Sequence, residues 1–264
     1  MLKPFFNSDK YETQGNRRNF FDKLFLSTRW YFVYGYGKEV VKGSRLAVKN
    51  KYDTEEWAHS SYRIFENIEK SGGRLFIDGI ENISKVEGPV VFVSNHMSTL
   101  ETFVFPCIIA PLKEVTYVVK DSLVSMPLFG NIMRSRNPIV VSRKNSRQDL
   151  INVLNKGKET IAKGTSIVLF PEGTRQENFD PEKFNTLGVK LAKEAGVPVI
   201  PIAIKTDFWG NGKLVKDIGP IRRKQPVCIS FGEPMNITGN GKAEHKQIIE
   251  FISGKIEEFK KIQV

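Results

Sequence analysis

The chain of 264 residues has two cysteines, three histidines and no long apolar run. Cys107 and Cys228 each sit in an apolar stretch ("FPCIIA", "PVCISF"). That placement argues against a disulfide framework and for buried thiols in a reducing compartment. No segment of about 18 consecutive apolar residues is present, which excludes an obvious membrane-spanning helix. The opening "MLKPFFNSDKYE" breaks into charge before an apolar core of a secretory signal forms, so a location in the cytoplasm or on a cytoplasmic surface is expected. Internal repeats and low-complexity tracts are also missing.

Acidic residues are scarce too. Lys and Arg number 40 against 29 Asp and Glu, a formal charge of +11. Such an excess implies an anionic partner: nucleic acid, an anionic membrane, an acidic carrier protein or a phosphorylated substrate. A non-enzymatic basic module for nucleic acid or membrane is one alternative, but no recognised nucleic-acid motif accompanies the charge. At 40% hydrophobic and 26% charged, the composition is that of an ordinary globular protein with one substantial core.

Residues 17–52 combine aromatic and basic side chains. Phe20, Phe21, Leu24 and Phe25 fall on one helical face near Arg17, Arg18 and Lys23, and Trp30, Tyr31 and Phe32 follow. This is the composition of an interfacial membrane helix; a helix docked on the protein's own core is the alternative. Residues 55–70 read as an amphipathic helix that stops at "SGG". From there, short β-branched runs alternate with helical stretches. Strands are predicted at 74–80, 90–94, 115–119, 138–142, 166–170, 199–204 and 227–231, with helices over 98–109, 127–135, 147–164, 184–196 and 242–261. The pattern predicts an α/β fold: a mostly parallel sheet of about seven strands, helices on both faces, and an N-terminal helical membrane-interface segment. A boundary near Gly72 would divide residues 1–72 from an α/β domain of 73–264.

Ligands of open parallel sheets bind beyond the carboxyl ends of the strands. His96, Lys120, Arg143 and Glu172 each follow a predicted strand there. In "NHMSTLE", His96 and Glu101 would stand about 140° apart on a continuous helix, so they meet only if His96 lies in the turn before it. "STLE" also fits a capping box, in which Glu101 needs no histidine. In the catalytic reading, the carboxylate holds the imidazole in one tautomer and the ring deprotonates an alcohol brought by the substrate. "FPEGTR" offers Gly173 for close backbone approach and Thr174 and Arg175 as donors to phosphate, or else is only a strand-end turn. Residues 134–147 hold five cations and no acid, suited to a phosphate monoester or merely solvated.

In order, these stretches resemble the glycerolipid acyltransferase family typified by the bacterial 1-acylglycerol-3-phosphate acyltransferases. That family carries His-x4-Asp, then Lys-x-x-Leu…Pro-x-x-Gly…Arg, then Phe-Pro-Glu-Gly-Thr-Arg, then a hydrophobic strand around a proline. Here stand "NHMSTLE"; Lys120, Leu123, Pro127, Gly130 and Arg143; "FPEGTR"; and "VPVIPIAI". The resemblance runs from about residue 75 to 235. It implies acyl transfer from acyl-carrier protein or coenzyme A to the sn-2 hydroxyl of a lysophosphatidic acid, with His96 as general base. Glu101 would stand for the family's aspartate, and Glu172, Gly173, Thr174 and Arg175 would shape the acceptor site. Arg143 and Arg175 would meet the glycerol phosphate, and Lys120 the acyl carbonyl or the phosphate. No metal or bound cofactor is implied, and the enzyme would sit peripherally on the cytoplasmic face of an anionic membrane. The same chemistry on glycerol 3-phosphate, another lysophospholipid or a lyso-aminolipid is the near alternative. Three departures mark this chain. Glu101 is one methylene longer than aspartate, as in the related lipid A secondary acyltransferases; Asn137 stands where glycine is frequent; and Leu187 precedes Gly188 where lysine is common.

Overall fold

The computed structural model describes residues 2–212 and 218–263. The strands are β1 (Tyr11–Glu12), β2 (Leu75–Asp78), β3 (Val91–Ser94), β4 (Val115–Lys120), β5 (Ile139–Val141), β6 (Ser166–Leu169), β7 (Val199–Lys205) and β8 (Val227–Phe231). They form one sheet in the order β1-β2-β8-β7-β3-β6-β4-β5. The seven predicted strands are all present. The eighth, β1, is a two-residue edge strand antiparallel to β2, too short to carry any periodicity. Strands β7, β3, β6, β4 and β5 run parallel, whereas β8 turns antiparallel to β7 and takes β2 with it. The five parallel strands therefore end at one edge of the sheet.

Strands β3, β6, β7 and β8 are buried along their whole length. Helices cover both faces, so both alternating sets of side chains are apolar. On one face, Phe92, Val168 and Ile202 pack with Phe65 and Ile68 of α3 (Thr54–Lys70) and with Val104 and Ile108 of α4 (Leu100–Ile109). On the other, Val91, Val93 and Leu169 meet α7 (Ser146–Ala162), α8 (Leu187–Ala195) and α9 (Lys242–Lys260) through Val153, Leu191 and Ile252.

Three further helices are α1 (Phe20–Leu24), α5 (Asp121–Ser125) and α6 (Phe129–Ser135). A long helix that sequence reasoning did not delimit, α2 (Trp30–Val48), runs beside α3 and α6. Its two sides differ. Phe32, Val40, Gly43 and Ala47 are buried, with Phe32 in the same core as Phe6, Phe65 and Phe92, while Trp30 and Tyr34 point to solvent. Phe32 is thus a core residue, not part of an interfacial face.

Pro106 sits inside α4 and cannot donate to the carbonyl of Thr102. The Tyr117 hydroxyl approaches that carbonyl at 3.3 Å, and Ser61 of α3 inserts its hydroxyl between the Phe103 carbonyl (2.6 Å) and the Cys107 amide (2.8 Å). The interrupted ladder is satisfied by neighbours, so α4 continues over the sheet.

Two glycines separate contact from flexibility. A Cβ on Gly188 would lie 2.4 Å from Val93 Cγ2, because α8 lies directly on β3, whereas one on Gly254 of α9 would meet nothing within 4 Å. Gly188→Ala should therefore lower stability by about 1–3 kcal/mol through overpacking. Gly254→Ala should raise it by about 0.5–1 kcal/mol by restricting the unfolded chain. Urea midpoints of the two variants check both signs.

Candidate active site

The turn after β3 is built around the Glu101 carboxylate, which is fully buried at the start of α4. Its Oε1 accepts from His96 Nδ1 (2.8 Å) and from the amides of Met97 (2.8 Å) and Ser98 (2.9 Å). Its Oε2 accepts from the hydroxyls of Ser98 (2.8 Å) and Thr206 (2.7 Å). The carboxylate therefore closes the turn in the manner of a capping box and also holds the histidine ring. Burial alone would push the Glu101 carboxyl up, but the His96 bond and charge and the Thr206 hydroxyl outweigh it and hold it below its usual range. An ionised Glu101 requires a proton on His96 Nδ1, which leaves the lone pair on Nε2.

Phe170, at the end of β6, stacks on the imidazole with ring centroids 4.2 Å apart and planes 23° from parallel. Behind the ring, the Glu172 carboxylate accepts from the backbone amide of His96 at 2.7 Å, and the amide of Gln176 donates to the His96 carbonyl at 2.8 Å. Desolvation pushes the Glu172 carboxyl up to about 7, against the opposing pull of the His96 and Asp180 amides.

His96 opens onto a cavity of about 590 Å³ that runs between the sheet edge and helices α2, α3 and α6. Trp57, Ile64, Tyr117, Phe129, Ile132 and Met133 make much of its wall apolar. Lys120, Arg143, Gly173, Thr174 and Arg175 reach the same cavity as His96. The Arg175 guanidinium donates to the hydroxyl of Thr99, and Thr174 Oγ1 accepts from Gln176 Nε2 at 3.1 Å. Gly173 (φ 69°) and Arg143 (φ 57°) both turn through the left-handed region, and Arg143's own amide is tied to Asp149 at 2.7 Å. Of the eight residues singled out from the sequence, six line the cavity. Glu101 and Glu172 stand behind His96; Glu172 accepts from the backbone of the His96 turn, and neither carboxylate lines the cavity.

Two features escaped the sequence. Thr206, one residue past β7, brings the fifth parallel strand end into the site; nothing local distinguishes it from any threonine after a strand. Asn137 has φ 48°, a left-handed conformation that glycine adopts freely and that asparagine tolerates best among other residues.

Comparison with known proteins agrees with this arrangement. A family model described as Acyltransferase matches residues 74–205, half of the chain and the stretch that holds the His96 turn, the cationic segment and "FPEGTR". A 1-acyl-sn-glycerol-3-phosphate acyltransferase of Pseudomonas aeruginosa is 34% identical over 172 residues, 65% of this chain and 63% of that protein. The yeast (Saccharomyces cerevisiae) enzyme of the same name is 33% identical over 129 residues, 48% of this chain and 41% of its own. The chain thus spans less than two thirds of these relatives' length. The crystal structure of the 1-acyl-sn-glycerophosphate acyltransferase PlsC from Thermotoga maritima shares the fold, with a TM-score of 0.68 at 20% identity over 92% of this chain and 98% of that one. With half its length matched by the family model, and the motif residues gathered at one sheet edge, the chain belongs to the acyltransferase family.

Proposed function

We propose that the protein moves a fatty acyl group from a thioester to the sn-2 hydroxyl of a 1-acyl-glycerol 3-phosphate, giving phosphatidic acid. The observation that carries this reading is the His96–Glu101 pair at the mouth of a largely apolar cavity bordered by three cationic side chains. The names of the relatives agree with it. His96 Nε2 takes the hydroxyl proton as the oxygen attacks the thioester carbonyl. Collapse of the tetrahedral adduct breaks the C–S bond, and the imidazolium returns its proton to the departing thiolate. Glu101 keeps the ring in one tautomer and stabilises its transient positive charge. The apolar wall suits acyl chains, and Lys120, Arg143 and Arg175 suit the acceptor's phosphate. The thioester itself supplies the activation; its carrier is acyl-carrier protein or coenzyme A, both anionic.

The acceptor resides in a bilayer, and a surface spur suits that location. Phe20, Phe21, Leu24, Phe25 and Leu26 are 50–85% exposed, beside Arg17, Arg18, Lys23 and Arg29. Among the described residues no helix is long and apolar enough to cross a membrane. We assign a peripheral position on the cytoplasmic face of an anionic membrane, with the exposed side chains of residues 20–26 supplying the interfacial contact; β1 and α3, although within residues 1–72, belong to the sheet and core of the acyltransferase unit.

His96→Ala should lower kcat by about 10²–10⁴-fold with folding preserved. The assay offers 1-acyl-glycerol 3-phosphate, glycerol 3-phosphate and lysophosphatidylethanolamine in competition on anionic vesicles, with both thioester donors. A fully active variant would overturn the base assignment; preference for another acceptor would overturn the substrate. Phe20→Ser with Phe25→Ser should weaken binding to phosphatidylglycerol vesicles by more than about tenfold, since each buried ring contributes roughly 1.5–3 kcal/mol; a sedimentation assay reads this. Glu172 titrates at about 7 in the fold against an ordinary 4.5. The folded state therefore binds more protons than the unfolded chain between those values, and stability falls as pH rises through that window. Glu172→Gln should remove this component, so that the Tm of wild type drops relative to the variant between about pH 4.5 and about pH 7.

A further inference from the structure

The Glu101 carboxylate is gripped from the side opposite His96. Thr206 is fully buried, and its hydroxyl donates to Oε2 at 2.7 Å. The Ser98 hydroxyl donates to the same oxygen at 2.8 Å while accepting from the Leu100 amide at 3.0 Å. Each hydroxyl has one proton, so with both directed at Oε2 the 3.0 Å approach of Ser98 Oγ to Thr206 Oγ1 reflects two donors sharing one acceptor. Ser98 belongs to the same turn as His96. Thr206 comes from 105 residues away along the chain and is the member of the cluster that anchors the turn to β7.

We infer that Thr206 is a positioning residue for the acyl transfer, and that its hydroxyl is what lets a glutamate perform the orienting role that a shorter aspartate performs in related chains. This rests on the reading of His96 as general base. The terminal torsion of a glutamate is broad, so the two amides on Oε1 leave the carboxylate plane free to swing unless Oε2 is held as well, a task that Ser98 and Thr206 share. The extra methylene carries the carboxylate about 1.5 Å further from the helix backbone. In this structure the added reach sets Oε2 against the carboxyl end of β7, where Thr206 receives it. An aspartate at 101, one methylene shorter, should therefore not hold Thr206 and His96 together. Glu101 and Thr206 thus work as one device, and aspartate at 101 would not improve this enzyme.

Steady-state kinetics on phosphatidylglycerol vesicles test this with four variants: Thr206→Val, Thr206→Ser, Glu101→Asp and the Glu101→Asp/Thr206→Val double variant. Thr206→Val keeps the shape and drops the hydroxyl; kcat should fall on the order of tenfold with KM unchanged, the scale of one lost charge-assisted hydrogen bond. Thr206→Ser, which restores the donor, should recover most of that loss. Glu101→Asp should also be slower than wild type, and adding Thr206→Val to it should cost little more, because the pair is already broken. The low-field proton resonance of His96 Nδ1 should move in Thr206→Val and return in Thr206→Ser. Full kcat with an unmoved resonance in Thr206→Val, equal losses in the valine and serine variants, or additive losses in the double variant would each overturn the proposal. Should His96→Ala prove fully active, the base assignment fails, while the resonance still decides whether Thr206 positions the ring.

Discussion

A carboxylate sealed from water lies where β3, α4 and β7 meet, and much of the site follows from keeping it satisfied. An ionised group buried without partners is prohibitively costly, and Glu101 survives there because five donors surround it. Two are amides of the turn, which fixes the backbone of residues 96–98. One is the imidazole, which fixes the ring and its tautomer. Two are hydroxyls, one of them from another strand. Capping and orienting are therefore a single arrangement of the same oxygens, and a carboxylate that caps the turn sets the histidine as a consequence.

The ring is constrained from its other sides as well. Phe170 lies across its face, and Glu172 and Gln176 hold its backbone from the turn after β6. Strands β3 and β6 are adjacent, so "NHMSTLE" and "FPEGTR", some seventy residues apart in sequence, are neighbours by sheet order alone. The parallel arrangement explains why polar groups crowd one edge. Five strands end there, and each is followed by a chain reversal that leaves the apolar core and can carry a polar side chain.

Much of this was legible before the fold was known. Strands β3, β6, β7 and β8 are short, nearly continuous apolar runs because both their faces are covered, and burial writes itself into composition at almost every position of such a strand. The His96 and Arg175 stretches stood out as polar residues past strand ends, but each alone also read as a cap or a turn; their order along the chain, in the manner of the acyltransferases, was what pointed to a site. What stayed hidden depends on distant partners. Strand β1 is two residues long and exists because β2 offers an edge. Helix α2 has one buried and one exposed side, yet aromatics occupy both, so hydrophobicity could not tell Phe32 from Tyr34. Glu172 looked like a ligand for substrate, and only the sheet order turns it toward His96. Thr206 has no local signature, since its role comes from a carboxylate more than a hundred residues away.

The N-terminal spur applies the same physics at the surface. Exposed phenylalanines on a flexible segment would invite aggregation and would lose much of their binding energy to ordering. Here the spur is fastened. Asp22 is buried between Arg18 (2.7 Å) and Arg223 (2.8 Å), and Arg223 also donates to the carbonyls of Ser71, Ser27 and Thr28. These bonds hold Leu26 and Ser27 in left-handed conformations (φ 53° and 56°) that neither residue prefers. Leu26 is 85% exposed, so no packing on the protein's own core rewards that strain. Under the peripheral-membrane reading, the lipid contact does, and the clasp presents the aromatic rings already ordered. A buried carboxylate between cations thus fixes the segment that carries the exposed rings, as a buried carboxylate beneath an imidazole fixes the ring that opens onto the cavity.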